Sequence, residues 1–415
     1  MNSKSKKNLI CFDTAYSLAA YKAGTLHIFQ EGKLLDGYFD KLYVVNIASN
    51  IKNPHVIGRS KLIKLSEHVE YLDVPLGRFR VLAAFKKINF LFSIFSTVIS
   101  VVRLCKKNNI CFIRGEDCQV NGLLALLISK IVGIPLFIGV WGNPGELRQD
   151  MGTAMWPSLL KFIAVEVFIE KLVLKFADRV LVQNENNKNF VVNYLKSDKK
   201  IRLFRVSNQI DNLHYHDPKL RIKPNDFFAE FQLLGHKKIL IISRLEEQKK
   251  VLDAIKVISY LVNTHSMQVD LFICGVGPEE EQLKQYATKE GIIHNIHFCG
   301  MRNQLWVSTA IPLMDLCISP ITGRALVEVA LGGIPVVGYD RDWQTELIEH
   351  NITGYICDFD DIEALSNFSY LALQNQEKAR NMGNELRNRA LQVFNKDNAL
   401  KMEQNCYDEF FQIRD

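Results

Sequence analysis

The sequence predicts an α/β protein of two parallel-sheet domains, and three observations carry that prediction. Short apolar runs rich in Ile, Val, Leu and Phe recur along the chain, each followed by a longer segment with helical spacing, which is how strand–helix units building a parallel sheet read. The runs fall into two sets, separated by the polar, proline-containing stretch HYHDPKLRIKPNDF. The third is length: 415 residues exceed what one ordinary core organises, at roughly 150 residues per domain.

In the first set NLICFD, LYVVNIA, CFIRG, LFIGVWG, RVLVQN and IRLFRVSN are the expected strands, giving a domain over residues 1–215. In the second, KKILIISR, VDLFICG, IHFCG, DLCISP, IPVVGYD and GYICD give a domain over 216–395. The closing stretch, 396–415, keeps helical spacing through Leu400, Met402, Cys406 and Phe410.

A composition 48% hydrophobic and 23% charged, without low-complexity tracts, suits buried cores and excludes a disordered chain. The net charge of +6 is unevenly spread: residues 1–215 carry 30 Lys+Arg against 17 Asp+Glu, the remainder 21 against 28. A basic first half attracts anionic surfaces or substrates, but no nucleic-acid-binding motif accompanies it, so no nucleic-acid partner is expected. The nine cysteines are scattered and form no CxxC pair, which points to buried free thiols rather than a metal site. With no secretory pattern in MNSKSKKNLICFD, the expected location is cytoplasmic.

Ligands of open α/β sheets sit beyond the carboxyl ends of the strands. After KKILIISR, Arg244 and Lys249 stand five positions apart in the loop leading into VLDAIKVISYLV. Such a pair can straddle a diphosphate, the forked guanidinium complementing the point charge of the ammonium; taken alone it also reads as solvated surface. LFICGVGPEEEQL places a Gly-x-Gly-Pro turn after a strand, with acids in the first helical turn that suit the helix dipole and argue against a phosphate there. In DLCISPITGRALVEVALGGIPVVGYD a strand ends at Ser319-Pro320, a loop carries Gly323, and a helix holding Glu328 ends at Gly332-Gly333. A helix N-terminus offers free backbone N–H groups, and Gly323 permits close approach to a phosphate. Glu328, one turn inside, is placed to accept both hydroxyls of a ribose, or else to pair within its helix.

These segments together resemble family 4 of the retaining GT-B glycosyltransferases, also called glycosyl transferases group 1, over roughly residues 238–395. Ser243-Arg244-Leu245 with Lys249-Lys250 is similar to the family's Gly-Arg-Leu-x-x-x-Lys-Gly. Gly275-Val276-Gly277-Pro278 matches its Gly-x-Gly-Pro turn, Phe298-Cys299-Gly300 its Phe-x-Gly loop, and Glu328 followed by Gly333-Ile334-Pro335-Val336 its Glu-x7-Glu helix and Gly-x-Pro-Val. Glu346-Leu347-Ile348 and Thr353-Gly354 follow in the same order.

The resemblance implies a GT-B fold, two Rossmann-like domains facing across a cleft, and sugar transfer from a UDP- or GDP-sugar with no metal or other cofactor. It implies that Arg244 and Lys249 hold the donor diphosphate as catalytic groups, and that Glu328 holds the ribose. The backbone of Gly323, Arg324 and Ala325 would hold the phosphate, with Gly300, Met301 and Arg302 beside the nucleobase. The chain departs from the pattern where Pro320 takes the place of the first carboxylate, where Asp13-Thr14-Ala15-Tyr16 replaces a glycine pair, and where Trp141-Gly142 replaces a His-Gly. In the first half the strand-end residues Arg114, Glu116, Trp141 and Asn143 are expected on the acceptor side, with Asp117, Glu146 and Arg148 nearby. The half ends in an Asn-x-Ile-Asp, Asn208 to Asp211, and the resemblance implies that the terminal helix, 396–415, crosses back to the first domain.

Between Phe85 and Lys107, Phe85, Ile88, Phe92, Phe95, Ile99 and Val102 mark one helix face, and Lys86, Asn89, Ser93, Ser96, Ser100 and Arg103 the other. The uninterrupted apolar stretch falls short of the roughly 20 residues of a membrane span. The expected use is a core helix on the sheet. Its basic flanks (Arg78, Arg80, Lys86, Lys87, Arg103, Lys106, Lys107) also suit peripheral docking on the inner membrane face, to meet a lipid-linked saccharide. The functional expectation is a glycosyltransferase of cell-surface polysaccharide or lipopolysaccharide synthesis, with a nucleotide sugar and a glycan or lipid-linked saccharide as partners. The alternative is a catalytically silent relative that binds nucleotide sugar or glycan as a partner subunit.

Overall fold

The computed structural model describes residues 7–14, 18, 30–47, 60–75, 79–156, 161–205, 210–220 and 236–412. Ala15, Tyr16, Arg78, Asn208 and the 221–227 part of the inter-set stretch lie outside them. The chain forms two compact units, residues 1–209 with 396–415, and residues 210–395. The boundary thus falls ahead of residue 215. His214 is fully buried and shares a 2.6 Å hydrogen bond with Gln304, and the Tyr215 hydroxyl donates to the Phe394 carbonyl at 2.8 Å.

Unit 1 holds strands β1 (Asn8–Phe12), β2 (Lys41–Asn46), β3 (Lys61–Lys64), β4 (Val69–Asp73), β5 (Ile110–Gly115), β6 (Leu136–Val140), β7 (Arg179–Val182) and β8 (Ile201–Leu203), in the sheet order β3-β4-β2-β1-β5-β6-β7-β8. β3 runs antiparallel to β4 and the other pairs are parallel. The β3–β4 hairpin had no counterpart among the expected strands: KLIK is mostly exposed and charged at both ends, and in VEYLD acidic residues interrupt the short apolar run. Alternation sorts the strand side chains: Ile10, Phe12, Tyr43 and Val45 face one layer, and Leu9, Cys11, Leu42 and Val44 the other. The first layer is built from helices α1 (Lys86–Lys107), α2 (Val120–Val132), α4 (Ile163–Phe176) and α5 (Glu185–Leu195), with α3 (Pro144–Met151) following β6. The second layer is the C-terminal helix, Lys396–Gln412, whose Tyr407 stacks on Phe137 at 4.8 Å and meets Phe112 edge-on at 4.9 Å.

α1 lies the other way round from the expectation. Asn89, Ser93 and Thr97 are at most 3% exposed, while Phe85, Leu91, Phe92 and Phe95 are 53–66% exposed. The reason is local. The Asn89 amide accepts from the Phe79 N–H at 3.0 Å and donates to the Phe79 carbonyl at 2.9 Å, and the Thr97 hydroxyl donates to the Ser93 carbonyl at 2.8 Å. The polar atoms are satisfied, and their small side chains let the helix settle close to the core beside buried Val98, Val101 and Cys105. The Ile88–Lys107 window, 20 residues of mean hydropathy 1.9, is also long and apolar enough to cross a membrane, contrary to the sequence reading.

Unit 2 holds β9 (Lys237–Ile242), β10 (Val269–Cys274), β11 (Ile296–Gly300), β12 (Leu316–Ser319), β13 (Val336–Tyr339) and β14 (Tyr355–Cys357), the expected six, in the order β11-β10-β9-β12-β13-β14. All their pairings are parallel. Ile239, Ile241, Leu271 and Ile273 pack against α6 (Val251–Ser259), α7 (Glu280–Lys289) and the helix Ile362–Gln374. Leu240, Phe272 and Cys317 face α8 (Gln304–Ala310), α9 (Ala325–Gly332) and the helix Gln376–Val393. Burial on both faces explains why these strands read as near-continuous apolar runs. All nine cysteines are free thiols, eight of them buried.

Candidate functional site

In unit 2 the strand order reverses between β9 and β12. Loops leaving neighbouring strands at such a point diverge to opposite faces of the sheet, opening a crevice beyond the strand ends where ligands of doubly wound sheets bind. The segments that diverge here are Ser243–Lys250 and Pro320–Arg324, which carry the diphosphate and ribose candidates.

Arg244 is well exposed, its guanidinium 2.7 Å from Glu246. Lys249 ends a single 3-10 turn, Glu247–Lys249; its N–H donates to the Glu246 carbonyl at 2.7 Å, and its ammonium makes no hydrogen bond or ion pair among the described residues. Burial first, and then the Arg244 guanidinium, pull its ammonium below the ordinary lysine range, against the opposing pull of Asp342 and Glu246. A desolvated cation beside a second cation is a place where an anion is favoured. Lys250, in the position of the family's glycine, adopts a left-handed backbone (φ +53) and pairs with Asp360 at 2.9 Å.

β12 ends in a braced loop. The Ser319 hydroxyl donates to Gln344 Oε1 at 2.7 Å and bonds the Thr322 hydroxyl at 2.5 Å; Gln344 Nε2 donates to the carbonyls of Pro320 at 2.9 Å and Tyr339 at 2.8 Å. Gln344 escaped the sequence reading because its partners lie across two loops. The loop turns at Gly323 (φ +63) into α9, where the N–H bonds begin with Leu326 to Gly323 at 3.1 Å and Val327 to Arg324 at 2.9 Å. A helix start leaves its first N–H groups without carbonyls one turn back, at the positive end of its dipole. α9 reads ALVEVALG and is buried almost all round, with Arg324 preceding it as the N-cap. Within it Glu328 is the lone charge, 6% exposed and without a hydrogen bond or ion pair among the described residues. Its carboxylate oxygens are therefore placed to accept hydroxyl donors from a bound ligand.

The Gly-x-Gly-Pro turn serves packing. A Cβ on Gly275 would overlap the Ser243 carbonyl oxygen, and one on Gly277 the Leu245 carbonyl, so the two glycines let the Arg244 loop lie against this turn. Leu245 N–H bonds the Val276 carbonyl at 3.1 Å. After β11, Gly300 takes φ +66 with open space around it, Met301 is 64% exposed, and Arg302 donates to the Cys299 carbonyl at 2.9 Å and lies over Trp306.

In unit 1 the four acceptor-side candidates are engaged within their own unit. Arg114 is 1% exposed, its Nε 3.0 Å from Glu116 and its Nη1 2.7 Å from Glu403 of the C-terminal helix. Glu116 also accepts from Cys11 at 2.9 Å and from the Trp141 indole, and lies 3.2 Å from the Lys33 ammonium. Burial alone would raise its carboxyl, but Arg114, Lys33 and those two donors hold it at about 2. Asn143 caps α3, accepting from Gly145 N–H at 3.0 Å while its amide donates to Glu146 and Asn186. Arg148 makes a forked pair with buried Glu170 at 2.5 and 3.1 Å. These side chains hold unit 1 together rather than presenting free groups to a substrate. Among the described residues no cluster of His, Cys, Asp or Glu could hold a metal ion.

Two parallel-sheet α/β units, the second with its strand order reversing at a cation loop and a helix start, define the GT-B architecture of glycosyltransferases. Residues 223–389 match the family described as glycosyl transferases group 1. The chain is 25% identical over 181 residues to the N-acetyl-alpha-D-glucosaminyl L-malate synthase of Bacillus anthracis, an alignment covering 43% of this chain. It spans about half, 47%, of that relative's length. Among solved structures it is similar to HepE of Anabaena in complex with UDP-glucose, with a TM-score of 0.70, 16% identity, and 98% of this chain and 99% of that one covered. It is likewise similar to sucrose-phosphate synthase of Thermosynechococcus elongatus, with a TM-score of 0.72, 14% identity, and 98% and 100% covered.

Proposed function

We propose that the protein is a glycosyltransferase that moves a sugar from a UDP- or GDP-sugar to a hydroxyl of a glycan or lipid-linked saccharide, with retention at the anomeric carbon. The observation that carries this reading is the placement, at one strand-order reversal, of a largely desolvated ammonium (Lys249) and a mostly buried carboxylate (Glu328), neither with a hydrogen bond or ion pair among the described residues. In the transfer the bond between the anomeric carbon and the diphosphate breaks, a bond to the acceptor oxygen forms, and the acceptor proton leaves toward the departing phosphate. Arg244, Lys249 and the start of α9 stabilise the negative charge gathering on the diphosphate, and Glu328 anchors the ribose hydroxyls. The family match and the likeness to a structure holding UDP-glucose support a nucleotide-sugar donor. We place the reaction in cell-surface polysaccharide or lipopolysaccharide synthesis, on the cytoplasmic side, without a metal cofactor.

The test is release of nucleoside diphosphate from candidate sugar donors, with and without saccharide acceptors. Sugar transfer requires release that depends on the acceptor and is lost in Lys249→Ala. Nucleotide-sugar binding with no turnover on any acceptor would favour a binding subunit instead.

A further inference from the structure

The outward face of α1 continues onto its neighbours. α1 packs beside α2, and α2 beside α4, in one layer of unit 1. Leu127 and Ile131 of α2 are 47% and 52% exposed, and Phe162 and Phe168, at the start and in the middle of α4, are 71% and 64% exposed. Single exposed apolar residues are ordinary on soluble proteins, but large ones on three adjacent helices mark an interaction surface. Its charge is one-sided. From Val74 to Ile113 the chain has seven Lys or Arg and no Asp or Glu, and the Lys130 and Lys175 ammoniums each lie 5.8 Å from the Phe176 ring.

We propose that this three-helix face docks unit 1 on an anionic lipid bilayer, with α1, α2 and α4 lying along the interface. Aromatic and aliphatic side chains enter the acyl boundary, while lysines and arginines at their edges meet anionic headgroups. α1 does not cross the bilayer, because its opposite side is built into the unit: Val98, Val101 and Cys105 belong to the core, and Asn89 is bonded to the Phe79 backbone. A second copy of the chain is a poorer occupant, since self-pairing of this face sets α1 cations against α1 cations with no carboxylate on either helix to answer them. The proposal concerns unit 1 alone and does not depend on sugar transfer.

The experiment is flotation of the full chain with vesicles of phosphatidylcholine, with and without phosphatidylglycerol, at low and high salt. Two paired variants accompany it: Phe92→Ser with Phe95→Ser on α1, and Phe162→Ser with Phe168→Ser on α4. The wild type is expected to float with the anionic vesicles and to be released by salt. Each pair is expected to lower vesicle affinity at least about tenfold. Because these side chains are exposed, the unfolding temperature in solution is expected to hold in both variants. The proposal is overturned if the wild type ignores anionic vesicles, or if both variants float as well as it does. It is also overturned if the wild type is a dimer that the substitutions break, which would make the face a contact between copies.

Discussion

The Lys33 ammonium lies 3.2 Å from the Glu116 carboxylate and 2.5 Å from Asp13, beyond the carboxyl ends of β1 and β5, where the order of the first sheet reverses. The two units therefore treat equivalent places differently. In unit 1 the reversal point is filled by charges that satisfy one another; in unit 2 the Lys249 ammonium and the Glu328 carboxylate make no hydrogen bond or ion pair among the described residues. Of the two, the second is the one proposed above as the nucleotide-sugar site.

The first prediction concerns the filled site. Lys33→Met leaves Asp13 and Glu116 buried without the cation between them, and breaking such a pair costs about 3–5 kcal/mol. Urea unfolding is expected to show that loss. Nucleotide binding, at a denaturant concentration where the variant is still folded, is expected to remain, because the proposed donor residues belong to unit 2.

Acid dependence follows from the same cluster. Glu116 is held at about 2, against an ordinary 4.5. Its stabilising contribution is full above the ordinary value and is lost as the pH falls toward 2. Asp117 behaves oppositely: burial pushes its carboxyl up to about 6, so its contribution is full below the ordinary 3.8 and is lost as the pH rises through 6. In melting curves the stability gap between wild type and Glu116→Gln is expected to narrow from pH 5 toward acid. The gap between wild type and Asp117→Asn is expected to shift in favour of the wild type from pH 7 to pH 5. A gap that stays constant in either series contradicts the corresponding assignment.

Gly275→Ala tests whether the Gly-x-Gly-Pro turn supports the cation loop. The added methyl collides with the Ser243 carbonyl next to Arg244, and Gly275 already sits at φ +149. A loss of about 2–4 kcal/mol is expected, together with weaker nucleotide binding in whatever remains folded. Gly300→Ala, at a positive φ with open space, is expected to cost about 1 kcal/mol.

Gln344 braces the β12 loop without belonging to the diphosphate or ribose candidates. Gln344→Ala leaves the Pro320 and Tyr339 carbonyls and the Ser319 hydroxyl short of partners. The expected loss is about 1–3 kcal/mol of stability, with a raised KM for the donor and a smaller change in kcat.

Much of this was legible in the sequence for a physical reason. Strands buried on both faces show as apolar runs, and strand-end loops are contiguous in the chain, so local order alone could place Arg244, Lys249, Gly323 and Glu328 after the two strands that flank the order reversal. What stayed hidden depends on partners distant in sequence. Arg114 and Glu116 looked like site residues until Glu403, 289 positions beyond Arg114, is seen to complete their cluster. The orientation of α1 was unreadable from spacing, because Ile94, Val98, Val101 and Cys105 form a second apolar stripe and only the Phe79 contact decides which face turns inward. β3 escaped because an exposed edge strand needs no apolar run, and β4 because Glu70 and Asp73 interrupt its buried Val69, Tyr71 and Leu72.

The central claim is that Lys249 and Glu328 are left unpartnered for a nucleoside diphosphate. The most direct measurement is calorimetric titration of UDP and of GDP into the wild type, Lys249→Met and Glu328→Gln, beside their unliganded melting curves. The account predicts that whichever nucleotide the wild type binds, both variants bind it at least about tenfold more weakly while melting no lower, because neither charged group makes a hydrogen bond or ion pair among the described residues that the substitution would break. Equal affinity in all three proteins would contradict it, as would variants that lose stability and keep the nucleotide.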